Sequence, residues 1–313
     1  MKAAMSHDHH HHGHDHHDHH AHPVDYGRAF ALGIGLNLLF VVIEGVAGLM
    51  GNSVALLADA GHNLSDVLGL ALAWGAHALS RLPPTRRFTY GFQRSSILAA
   101  LTNAILLLVA CGAITWESLR RLADPPTVMG TTMMIVAGIG IVVNGLTAML
   151  FVRGHSADLN IRGAFLHMAG DALVSAGVVI AGALVVYTGR EWIDPVASLI
   201  VVVVIVIGTW GLLRDSLGLA LDAVPPSIDP DAVSRRLREL GGVGDVHHVH
   251  IWPISTTANA LTAHLVMPGG HPGDSFLSAV RDLVETEFGI HHATLQVETG
   301  ETCVDDCNFA ESI

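Results

Sequence analysis

Six apolar stretches set the limits on this chain, near residues 27–50, 57–81, 94–116, 128–152, 163–187 and 194–213. Each is long enough as a helix to cross a ~30 Å hydrocarbon layer. Lipid offers no partners for backbone polar groups, so segments of this length must satisfy them internally, as helices. The low charge agrees: 14% of residues are charged, against roughly 25% in soluble domains. Mean hydropathy is +0.48. An even number of crossings returns both ends to one side. Arg81, Arg86, Arg87, Arg94, Arg153, Arg162 and Arg214 lie on the side of the termini, while Arg120, Arg121 and Arg190 lie opposite. The excess of arginine predicts cytoplasmic termini.

Within the second and fifth stretches stand four residues that do not suit lipid. They are His62 and Asp66 in ALLADAGHNLSDVLGLAL, and His167 and Asp171 in AFLHMAGDALVSAGVVIAGALVV. Each pair is spaced i,i+4, which puts imidazole and carboxylate on one helix face. An aspartate at the middle of a spanning helix costs roughly 2.5–3.5 kcal/mol. No Lys or Arg near the middle of any stretch offsets that cost. A divalent cation does, and two imidazoles with two carboxylates make a four-coordinate set suited to zinc. Such ligands take metal only with the imidazoles neutral and the carboxylates ionised, so metal and protons compete. Open alternately to each side, the site would be a metal/proton antiporter.

Other polar residues in the stretches have less decided roles. Asp59 extends the face of His62 and Asp66 by a turn and either lines the ion's path or caps the start of the helix. Glu44 shares a face with Asn37 in the first stretch and is expected to face a wet cavity. Asn37, Asn103 and Asn144 read as interhelical hydrogen-bonding residues, and Cys111 as a small packing residue.

Residues 1–26 form a His-rich tail, HDHHHHGHDHHDHH, interrupted by Asp8, Gly13, Asp15 and Asp18. It reads as a disordered metal-gathering segment rather than a secretory signal. Residues 27–213 read as the transport domain and 214–313 as a soluble domain. The soluble part predicts a helix (230–241), two strands (246–253 and 259–267), a helix (274–288) and a strand (292–298), an αββαβ order with a short antiparallel sheet. Pro225–Pro226 marks a hinge. In the first strand, alternation puts His248 and His250 on one face and His247 on the other. The net charge of −12 argues against nucleic acid and for a cation as partner.

The segments SVALLADAGHNLSDVLGLALAWGA, RRFTYGFQRSSILAAL, GAFLHMAGDALVSAGVVIAG, DPVASLIVVVVIV and VHHVHIWPISTTANALTAHLVM resemble the cation diffusion facilitator family across nearly the whole length. The paired HxxxD motifs resemble its zinc-selecting branch. That resemblance implies an α-helical membrane protein of six transmembrane helices with a cytoplasmic ferredoxin-like domain. It further implies a homodimeric, proton-coupled exporter of zinc and not an enzyme; the His-rich N-terminal tail, with no long His-rich loop between the fourth and fifth stretches, points to a bacterial inner membrane. Cadmium and cobalt are its expected secondary substrates. The implied transport site is His62, Asp66, His167 and Asp171. The implied ligands of the soluble domain, a regulatory zinc site, are His247, His264, His291, Glu298, Cys303 and Cys307. Two departures stand out. Ser95 and Ser96 occupy the end of a YGFxRxE motif that usually carries an acid, and only His77 stands where some members build a second zinc site. An intramembrane zinc hydrolase or a metal-gated channel are the rival readings. The hydrolase lacks a signature such as HExxH.

Overall fold

The computed structural model describes residues 26–151 and 159–300. Six helices come first: α1 (Tyr26–Met50), α2 (Val54–Ser80), α3 (Ser95–Ala123), α4 (Gly130–Phe151), α5 (Leu159–Thr188) and α6 (Ile193–Ala220). Four segments among the described residues are long and apolar enough to cross a membrane: Ser95–Ala123, Gly130–Met149, Met168–Thr188 and Ile193–Ala220. They lie in α3, α4, α5 and α6. Helices α1 and α2 carry the buried polar residues Glu44, Asp59 and Asn63. The 28-residue α6 runs beyond the expected end at 213 and is about 42 Å long. Large apolar side chains such as Trp74, Trp116, Leu173 and Ile207 are exposed on the outside of these helices, a surface suited to acyl chains.

Packing inside the bundle relies on small residues and buried hydrogen bonds. Gly130 and Gly182 bring α4 onto α5: a Cβ on Gly182 would lie 2.9 Å from the Gly130 carbonyl oxygen. Ser118 Oγ donates to Ser198 Oγ at 3.0 Å and joins α3 to α6. Phe40, Leu56, Cys111, Met133, Ala137 and Val178 fill the interior between them. Cys111 is thus a packing residue, as its apolar setting predicts. Asn103 accepts a hydrogen bond from Ser65. By contrast, neither amide atom of the buried Asn144 has a partner among the described residues.

Beyond α6 the chain turns through Asp222, whose φ is +60°, a helix-terminating conformation that Asp tolerates. Arg94, just before α3, pairs with Asp222 and ties the helical part to the start of the soluble part. There the order is α7 (Pro230–Arg238), β1 (Asp245–Pro253), β2 (Asn259–Val266), α8 (Asp274–Phe288) and β3 (Ile290–Glu298). Asp229 caps α7, accepting from Asp231 N, and Pro230 fills its first position, where a missing N–H costs nothing. Gly289 ends α8 at φ +66°, which glycine adopts freely. Val233, Leu237, Leu261, Leu265, Val284 and Ile290 form the core. Arg236 grips Glu287 through two nitrogens and clamps α7 to α8.

The sheet corrects the expectation of an antiparallel one. Its order is β1-β2-β3. Strands β1 and β2 pair antiparallel, but β3 joins β2 in parallel, because α8 carries the chain back to the starting end before β3 begins. A second difference is in β1. His247 pairs with His264 while His250 pairs with Thr262, so one extra residue bulges out. His248 sits there at φ +49°. The bulge breaks the alternation expected of His247, His248 and His250.

Candidate metal centre

The position of α2 is fixed at its first turn. Ser53 caps the helix, accepting from Leu56 N at 3.1 Å, and donates to Asp194 Oδ1 at 2.6 Å. The two oxygens of Asp194 also accept from Val54 N at 2.8 Å and Ala55 N at 3.2 Å. A carboxylate at a helix N-terminus meets both the free N–H groups and the positive end of the dipole. Asp194 begins α6, so this contact locks α6 to α2. In the sequence alone Asp194 shows only as an Asp-Pro step opening an apolar run.

From that anchored end, α2 presents a polar stripe: Asp59, His62, Asn63 and Asp66. Because Ser53 is the cap, Asp59 lies in the second turn and does not cap the helix. It instead accepts from Ser175 Oγ on α5 at 2.9 Å. Asn63 Nδ2 donates to Glu44 Oε2 on α1 at 3.2 Å. Thus Glu44 is fully buried in protein, not at the wall of an open cavity.

One turn along from Ser175 stands Asp171, and three of the expected ligands meet there. His62 Nε2 lies 3.3 Å from Asp171 Oδ1 and 3.9 Å from Asp66 Oδ2. One ligand atom from each of His62, Asp66 and Asp171 falls within 4.8 Å of the others. That spread suits a single ion held by nitrogen and oxygen at about 2.0–2.2 Å. His167 lies on α5 four residues before Asp171, the spacing that puts it on the same helix face; its side chain lies outside the described residues.

Below the cluster is a cavity of about 610 Å³ lined by Gly69, Ser96, Asn103, Leu212 and the Ser255–Ala258 loop. Gly69 follows Asp66 by three residues, so this part of the cavity lining is one helical turn from the cluster. A Cβ on Gly69 would come 2.9 Å from the Asn103 amide. Ser96, also in the lining, accepts from Thr256 N at 3.1 Å. The serine that replaces the usual acid therefore joins α3 to the β1–β2 loop.

The soluble part holds a second cluster. His247 Nε2 is 3.2 Å from Glu298 Oε2, and His264 Nδ1 is 2.7 Å from Glu298 Oε1. These are ion-pair separations, yet neither nitrogen is in hydrogen-bond geometry. Three potential ligand atoms converge within 4.8 Å, as around a shared cation. His291 does not belong to this cluster. It is exposed at the second position of β3, seven residues before Glu298 and so at the far end of the strand. Cys303, Cys307 and residues 1–25 lie outside the described residues.

Apolar helices around a part-buried His/Asp cluster, followed by a soluble domain with its own cluster, fit a membrane transporter of metal cations. The chain belongs to the cation diffusion facilitator family: the cation efflux transmembrane domain matches residues 31–219, and the cation efflux protein cytoplasmic domain matches 225–300. Among its relatives, the zinc transporter ZitB of Escherichia coli is 36% identical over 288 residues, 91% of this chain and 92% of its own. The metal cation efflux system protein CzcD of Cupriavidus metallidurans is 33% identical over 299 residues, covering 95% and 90%. A cadmium, cobalt and zinc/H(+)-K(+) antiporter of Bacillus subtilis is 35% identical over 265 residues, covering 83% and 85%.

Proposed function

We propose that this protein exports Zn2+ from the cytoplasm in exchange for protons, with Cd2+ and Co2+ as secondary substrates. The observation that carries the reading is the convergence of His62, Asp66 and Asp171 on one point between α2 and α5, with His167 as the fourth ligand. Nitrogen ligands favour zinc over harder ions. Protons and metal compete for these four groups, so inward protons drive outward metal. The names of the ZitB and antiporter relatives support both the metal and the exchange.

In this reading α1 and α2 complete six crossings, both termini are cytoplasmic, and the membrane is a bacterial inner membrane. Residues 1–26 gather metal, 27–213 transport it, and 214–313 form a ferredoxin-like sensing and dimerisation domain of a homodimer. The αββαβ order supports that fold. Zinc held by His247, His264 and Glu298, with Cys303 and Cys307 holding a separate ion, regulates transport. The cavity between Asn103 and the Ser255–Ala258 loop is the cytoplasmic approach to the transport site.

The test uses purified protein in liposomes loaded with a zinc dye, under an imposed pH gradient. Zinc flux should follow the gradient and vanish in Asp171→Ala. Flux indifferent to both would refute antiport and favour a channel.

A further inference from the structure

The geometry points to His248 as a fourth ligand of the metal held by His247, His264 and Glu298, placed there by the bulge in β1. This rests on reading those three residues as a zinc site. In a regular strand His248 would face away from His247. The extra residue between the His247–His264 and His250–Thr262 pairs cancels that alternation. As a result the rings of His247, His248 and His264 crowd together on one side of the sheet.

Their spacing is informative. An imidazole bound to zinc at about 2.05 Å has its ring centre about 3.2 Å from the metal, so two such rings at the tetrahedral angle have centres about 5.2 Å apart. The observed separations are 5.4 Å for His247–His248, 5.2 Å for His247–His264 and 4.9 Å for His248–His264. All three pairs match three corners of a tetrahedron, and Glu298 supplies the fourth. His250 is 6.2 Å from His248 and exposed at the rim, outside this arrangement.

Ring orientation is the one thing still to change. His248 is not among the residues whose ligand atoms lie within 4.8 Å of one another, so its imidazole must rotate to aim a nitrogen inward. Backbone geometry favours the same role. A φ of +49° is uncommon for a residue with a side chain, histidine entering this region more readily than most, and such positions persist where the surroundings or a ligand require them. Glycine would fit the bulge better, yet histidine occupies it.

The experiment counts zinc bound per protomer to the full-length protein in detergent, across a series of buffered free zinc concentrations. His264→Ala should lose one zinc, which identifies the site by difference from the tail and the transport site. His248→Gln should move the midpoint of that zinc to at least about tenfold higher free zinc, since even loss of an outer-shell partner costs 10–100-fold. His248→Gly, which keeps the bulge and removes only the imidazole, should shift it equally. A zinc-loaded structure should place a His248 nitrogen at about 2.0–2.1 Å from the ion. An unshifted midpoint in both His248 variants, or a water or tail cysteine in the fourth position, would overturn the assignment. If His264→Ala loses no zinc, the failure is that of the underlying site reading instead.

Discussion

Asp194, at the start of α6, closes the first turn of α2 through Ser53, accepting its hydroxyl proton at 2.6 Å across 141 residues of sequence. Two backbone N–H groups complete the contact. The helix that carries His62 and Asp66 is thereby held from its far end. Asp194→Ala should therefore lower stability by roughly 2 kcal/mol, the scale of a lost cap or a charge-assisted hydrogen bond. Thermal unfolding in detergent reads this directly. Asp194→Asn, which keeps an acceptor, should lose less, and equal melting of all three proteins would contradict the capping role.

Glu44 and Asn63 join α1 to α2 beside the proposed transport site, at full burial. Glu44→Gln keeps an acceptor for the Asn63 amide and should fold as the parent does. Glu44→Leu strands that amide in the interior, at a cost of about 1–3 kcal/mol. Comparing the two melting curves separates hydrogen bonding from side-chain volume.

Gly182 lets α5 touch α4. A valine there would press its Cβ against the Gly130 carbonyl and the Met133 and Met134 side chains, at 2.9–3.0 Å. Separating the helices should cost about 1–3 kcal/mol and displace Asp171 relative to His62. The expected result is a lower melting temperature together with slower zinc transport. Transport at the parental rate would show that α5 is positioned by other contacts.

His62 supplies a nitrogen to a cluster otherwise rich in carboxylates. Replacing it with aspartate makes the site harder in its chemistry, which favours oxygen-loving ions such as manganese over zinc. The ratio of manganese to zinc uptake in proteoliposomes should rise about tenfold or more, taking one ligand exchange as worth at least ~1.4 kcal/mol of preference. An unchanged ratio would remove His62 from the ligand set.

Much of this architecture is legible in the chain, because local rules suffice for it. Apolar length locates the six helices, and i,i+4 spacing alone brings His62 near Asp66. The soluble elements fall within a few residues of the ranges expected of them. What escapes is set by distant partners. Asp194 reads as one acid before a proline until α2 is seen above it, and Asp59 needs Ser175 to reveal its contact. The parallel pairing of β3 depends on the return path of α8. The histidines of β1 mislead for a different reason: alternation assumes an unbroken strand, and nothing in VHHVHIW announces a bulge at a non-glycine residue. His291 resembles a ligand by its place beside the last strand, yet the strand's own length carries it away from Glu298.

Anomalous scattering from a zinc-loaded crystal of the full chain tests the central claim most directly. The account predicts one peak between α2 and α5, with His62, Asp66, His167 and Asp171 each contributing an atom at about 2.0–2.2 Å. Density elsewhere in the helical bundle, or an α5 turned so that Asp171 faces the lipid, would contradict it.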